Sequence, residues 1–155
     1  SKLVLRDLDI FIGRDVSLGV TITTPDERWT RIWEPGASSV AERWEILKQA
    51  KAAGLRTTVM FGPLLPGISD TDEALGILFT RAAEAGVDRI WTDILNPRPL
   101  VWQSVQRIIR EYCQHLYERY RAVMFDSVER ERYEHDLHRR MCTAARNAGI
   151  ADRLA

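Results

Sequence analysis

The sequence predicts an α/β fold built on a parallel sheet, and three observations carry that expectation. Short segments rich in β-branched and apolar residues alternate with stretches of helical period. Two helices close alike, Lys51-Ala52-Ala53-Gly54-Leu55 and Ala83-Glu84-Ala85-Gly86-Val87, about thirty residues apart, the length of one βαβ unit. Finally, Phe61-Gly62-Pro63-Leu64-Leu65-Pro66-Gly67-Ile68-Ser69-Asp70 reads as a strand end, a Gly/Pro turn and a helix start, the kind of junction where α/β proteins bind small ligands. Parallel neighbours require a helical crossover. Both a barrel segment and an open doubly wound sheet satisfy the pattern.

Each element has its own local cause. Val16 to Pro25 alternates from Leu18 onward and stops at a proline, so it reads as a strand with Thr21 and Thr23 on one face. Asp26 to Trp33 reads as a short helix, broken by Glu34-Pro35-Gly36. Ser39 with Glu42 forms a capping box; Val40, Trp44, Leu47 and Lys51 line one face of the helix that follows, and Gly54 fits the left-handed position after it. Arg56 to Phe61 is the second strand. Asp70 with Glu73 opens the next helix, Leu75, Leu78, Phe79 and Ala82 form its buried stripe, and Gly86 ends it. Val87 to Leu95 is the third strand, closing on Asp93-Ile94-Leu95-Asn96-Pro97-Arg98-Pro99. Beyond Pro99 a helical period runs from Val101 to about Met124, and Ser127 caps a charged helix to about Asn147. The apolar face of this last third needs a partner, which the end of the sheet or a barrel mouth supplies.

The chain has 155 residues, 45% hydrophobic and 28% charged, enough for one domain with a substantial core. Lys plus Arg number 22 against 22 Asp plus Glu, so no basic excess calls for nucleic acid, although a local patch stays open. No apolar run approaches the roughly twenty residues that span a bilayer. Two distant cysteines, Cys113 and Cys142, and no secretory apolar segment point to a reduced cytoplasm.

Five pieces occur in order: Leu3-Val4-Leu5-Arg6-Asp7-Leu8-Asp9, Gly19-Val20-Thr21-Ile22-Thr23-Thr24, Glu34-Pro35-Gly36-Ala37, Glu42-Arg43, and the Gly62 to Asp70 turn. In that order and spacing the chain resembles the C-terminal half of a radical S-adenosylmethionine (SAM) domain, in the branch related to spore photoproduct lyase and DNA-photolyase-like iron–sulfur proteins. The resemblance covers about residues 1 to 96. It implies half of a partial (β/α)6 TIM-like barrel, strands four to six in residues 1–99, followed by a helical extension in 100–155. It also implies a parent enzyme that uses SAM and a 4Fe-4S cluster on three closely spaced cysteines, cleaving SAM reductively to a deoxyadenosyl radical. Isolated Cys113 and Cys142 build no such loop. The cluster ligands are therefore expected upstream of Ser1, and the chain is expected to need a missing N-terminal half or a second subunit, holding no metal itself.

Carried over residue by residue, the resemblance implies that Thr21, with Thr23 on the same face, offers a hydroxyl to the SAM carboxylate or ribose. Arg43 would fork onto a carboxylate, with Glu34 as a possible partner within the chain, and Gly62, Pro63 and Gly67 would lie against adenine. Asp93 and Asn96 would read adenine or substrate edges. Each has a plainer reading: strand propensity for the threonines, a solvated arginine, a structural βα turn, and an Asx turn ahead of Pro97. His135 and His138 read as a solvated helix face, Trp91 and the other tryptophans as core or edge packing. Two further functions stay open. A non-catalytic α/β module would bind a nucleotide or dock to a partner through its strand edges. A phosphate-handling enzyme is disfavoured by Pro63 and Pro66, which remove amides from the turn.

Overall fold

The computed structural model describes residues 2–96 and 98–155; Ser1 and Pro97, and with Pro97 the Asx turn expected ahead of it, lie outside the described residues. Three parallel strands, β1 (Ser17–Thr21), β2 (Arg56–Leu64) and β3 (Arg89–Ile94), form one sheet in the order β1-β2-β3. Their register sets Thr21 beside Met60 and Met60 beside Trp91. The order runs in sequence, without the reversal that marks a doubly wound sheet. Crossovers of one hand then put both crossover helices on the same side.

That side holds the main core. After a short α1 (Leu8–Phe11) and α2 (Glu27–Trp33), helices α3 (Val40–Ala52) and α4 (Asp72–Ala85) form the two crossovers. Phe61 sits at the centre, edge-on to Trp44 of α3 at 6.2 Å and to Phe79 of α4 at 5.3 Å between ring centroids. Burial of one such side chain contributes about 1.5–3 kcal/mol. The expected capping box is present, Ser39 Oγ accepting the Glu42 amide at 3.1 Å while Glu42 accepts the Ser39 amide at 3.2 Å. Gly54 and Gly86 both take positive φ at the helix ends.

Three local expectations are corrected. The start of α4 is capped by Thr71, whose hydroxyl accepts the Ala74 amide at 3.1 Å; Asp70 is buried because its carboxylate is engaged by the Gly67 amide at 2.5 Å and Arg119 at 3.0 Å. The helix expected from Val101 to Met124 breaks at Cys113 into α5 (Pro99–Tyr112) and α6 (Tyr117–Phe125). The break reorients the second half, so that Val123 reaches the main core while Tyr120 and Met124 join a second cluster. Asp126, not Ser127, caps α7 (Ser127–Asn147), accepting the Val128 and Glu129 amides at 2.9 and 3.1 Å.

The helical third belongs to the same packed body as residues 1–99. Tyr133, Leu137 and Met141 of α7 enter the main core, and Arg140 holds the backbone of Asp70. The second cluster joins Val105 and Ile109 of α5 and Tyr120 of α6 to Leu65 and Leu95 beyond β2 and β3, with Trp29 and Trp33 of α2 beside them. The extension therefore lies across the C-terminal ends of the strands. Its last residues return to the sheet: Leu154 bridges Ile90 and the Ala155 amide donates to the Ile90 carbonyl at 3.0 Å. No helix among the described residues is long and apolar enough to cross a membrane.

At the opposite strand ends Asp88 ties three elements together. Its carboxylate accepts the Thr57 amide at 2.8 Å and pairs with Lys51 of α3. Burial pushes this carboxyl up, but the Lys51 ammonium and the Thr57 donors outweigh it and leave the group below the ordinary carboxylate range. A depressed folded-state value stabilises fully above the unfolded one and is lost as pH falls through the folded one. Asp88→Asn is expected to cost about 1 kcal/mol at neutral pH, limited by exposure and screening. It should also flatten the decline of the urea midpoint below about pH 4, measured against the parent chain.

Candidate functional site

The second face of the sheet is uncovered. Ser17, Gly19 and Thr21 of β1, Arg56 and Met60 of β2, and Arg89, Trp91 and Asp93 of β3 are all exposed, while Leu18, Thr57, Val59, Phe61 and Ile90 between them are buried. Purely parallel sheets are almost always covered on both faces. Trp91, expected in the core or at a packed edge, is instead 47% exposed on this face. Its alternation partner Ile90 takes the core side, which leaves the indole outside.

The free edge of β1 adds a cleft of about 490 Å³. The Ile22 amide donates to the Met60 carbonyl at 2.8 Å, so alternate residues turn the other way and Gly19 and Thr21 present their backbone groups outward. Val4, Leu18, Val20 and Ile46 form the apolar wall beside that edge. Its polar end is organised by Arg43. The guanidinium donates from Nε to the Ser38 carbonyl at 2.9 Å, and from Nη1 to the Thr21 carbonyl at 2.9 Å and to Glu34 Oε2 at 3.0 Å. The expected partner Glu34 is thus present, but Arg43 is only 6% exposed and is neither solvated nor free to fork onto a ligand with these donors. Glu34 and two carbonyls offset the cost of a cation in the first turn of α3.

The predicted residues separate accordingly. Thr21, Asp93 and Asn96 are exposed at the strand ends. Thr23 does not share the exposure of Thr21: β1 ends at Thr21, and the Thr23 hydroxyl is buried, donating to the Gly62 carbonyl at 3.1 Å. Gly62 is buried against β3, where a Cβ would stand 2.9 Å from Asp93 Cβ, so its close approach is to the chain itself. Pro63 is half-buried. Gly67, at φ +75°, lies beneath Leu116, which occupies the side expected to face adenine. Asp93 Oδ1 accepts its neighbour Ile94's amide at 2.9 Å, and the Asn96 carbonyl accepts the Arg98 amide at 2.8 Å.

A second polar cluster lies under the C-terminal helices, with Asp70 buried and Arg119 at its open side. Asp70 meets Arg119 and Arg140 there, and the buried Tyr120 and Tyr133 hydroxyls and Trp33 Nε1 have no hydrogen-bond partner. Tyr133 stands close to Asp70 without hydrogen-bond geometry; burial, then the Asp70 charge, pushes its phenol strongly upward. Burial likewise raises the Cys113 thiol. His135 and His138 are exposed on α7, and among the described residues no group of three or more His, Cys, Asp or Glu side chains is placed to hold a metal ion.

The uncovered face was readable in principle. A parallel strand buried on both sides runs continuously apolar, whereas Arg56-Thr57-Thr58-Val59-Met60-Phe61 alternates with charge and hydroxyl on one side. No family model and no solved structure matches the chain. One curated protein does: the uncharacterized protein ORF301 of Acidianus two-tailed virus, 31% identical over 116 residues, which are 72% of this chain and 38% of that protein. The match carries no function. It does establish that the chain spans little more than a third of its relative.

Gly62→Ala is expected to lower stability by about 1–3 kcal/mol, because the new methyl meets backbone as well as side-chain atoms of Asp93 that have little room to move. Thermal unfolding of the variant checks this; an unchanged midpoint would mean that β2 and β3 are further apart at this row.

Proposed function

We propose that the chain is the C-terminal half of the partial barrel of a radical SAM enzyme, of the spore photoproduct lyase and DNA-photolyase-like branch, and that it supplies one wall of the SAM and substrate pocket. The observation that carries this reading is the uncovered face of a singly wound parallel sheet, since in a barrel that face is the lining. The edges support it. Leu154 and Ala155 occupy the outer edge of β3, whereas β1 leaves outward amides and an apolar cleft beside them. The outward amides and the cleft favour addition of strands at β1, and on this reading β1 to β3 are the last three strands of a larger barrel. The match covers 38% of the viral relative, so that protein is longer than the matched part.

The residues fit the implied groups only in part. Cys113 is buried in the second cluster and Cys142 sits on α7, so the cluster ligands come from the completing polypeptide, whether continuous with this chain or a separate subunit. A reduced cytoplasm suits both free thiols and a cluster. SAM bound beside a reduced cluster supplies hydrogen-abstraction chemistry. Toward SAM, this chain offers the Thr21 hydroxyl as donor to a carboxylate or ribose oxygen, and Asp93 with Asn96 as partners for adenine edges. Thr23 and Arg43 shape the pocket from behind, Thr23 holding the Gly62 carbonyl and Arg43 the Thr21 carbonyl. The uncovered face also favours a second reading, a non-catalytic module that docks to a partner subunit.

The test is to express the chain together with the coding sequence that precedes it, reconstitute with iron and sulfide under anaerobic conditions, reduce, and assay deoxyadenosine released from SAM. Release is expected, and Thr21→Val should lower it about tenfold, the equivalent of one hydrogen bond, with cluster absorbance unchanged. Absence of a cysteine triplet from both the preceding sequence and any co-purifying subunit would sink the proposal.

A further inference from the structure

We propose that two copies of this chain pack face to face through the uncovered side of the sheet, about a two-fold axis running across the strands along the row Thr21, Met60 and Trp91. This rests on the docking reading of the face: a copy paired in this way has Thr21 and Asp93 covered and does not offer them to SAM.

Met60 and Trp91 are 39% and 47% exposed and adjacent in register, so the middle row is an apolar ridge on an otherwise polar surface. On β3 the outward positions read Arg89, Trp91, Asp93, opposite charges spaced evenly about the indole. A two-fold axis at the level of Trp91 reverses the strand direction. It sets Arg89 of each copy against Asp93 of the other and brings the two apolar ridges together, the self-complementarity an isologous interface requires. The charges are available: among the described residues Arg89 has no ion-pair partner, and Asp93 accepts only its neighbour's amide. Edge pairing at β3 is the poorer route, because the Ile90 carbonyl there is taken by the Ala155 amide.

Sedimentation equilibrium on the 155-residue chain, from low micromolar to several hundred micromolar at two salt concentrations, decides the matter. The expected result is a reversible dimer that weakens as salt rises. Arg89→Glu should raise its Kd about tenfold or more, and the double exchange Arg89→Glu with Asp93→Arg should bring it back to within about threefold of the parent. Circular dichroism confirms that each variant is folded; should the single variant fail to fold, the salt response of the parent and the behaviour of the double exchange still decide. A monomer at every concentration overturns the proposal, and so does a dimer indifferent to both salt and the exchange, as one formed through the β1 edge would be.

Discussion

The rest of the structure depends on one topological constraint: the strands are added in a single direction, so their crossovers stay on one side. With β1, β2 and β3 in sequence order, α3 and α4 cover the same face and α7 packs with them. The apolar set of each strand therefore faces one way, toward Phe61 and its two aromatic neighbours, and the polar set faces out. A doubly wound sheet with the same elements would have covered both sides. Here hydroxyls, two arginines, an aspartate and a tryptophan stand where a second layer belongs.

The two edges of the sheet are treated differently, and that difference gives the open face a direction. At β3 the returning C-terminus takes the backbone of Ile90. At β1 a guanidinium takes a single carbonyl and an apolar cleft continues the core outward. Across the strand ends the helical third is held by Asp70, the meeting point of Arg119 from α6 and Arg140 from α7. That closure decides which candidate residues remain accessible. Gly67 goes under Leu116, while Thr21, Asp93 and Asn96 stay at the rim.

How much of this was legible depends on whether the signal is local. The Ser39 capping box, the glycines at 54 and 86 and the buried stripe of α4 are set by contacts within a few residues, and they appear where the sequence puts them. Asp70 has the local look of a cap, yet its carboxylate is captured by arginines about fifty and seventy positions away, which no local pattern records. The same applies to Cys113: the helical period continues through it, but Val105 and Ile109 before it pack only in the second cluster while Val123 after it reaches the main core, and the break gives the second half the direction for that. Among the site residues, the placement of Thr21 at an accessible strand end was readable from alternation. The engagement of Thr23 and Arg43 was not, because both partners, the Gly62 carbonyl and the Thr21 carbonyl, come into reach only through strand pairing and the docking of α3.

The sheet ends at an open β1 and at a β3 whose Ile90 carbonyl is taken by the C-terminus. Residue-resolved amide hydrogen exchange reads it directly. The account predicts alternation along β1, with Gly19 and Thr21 exchanging orders of magnitude faster than Val20 and Ile22, together with protection at Ala155, whose amide is held by Ile90. Uniform protection along β1, or free exchange at Ala155, would contradict it.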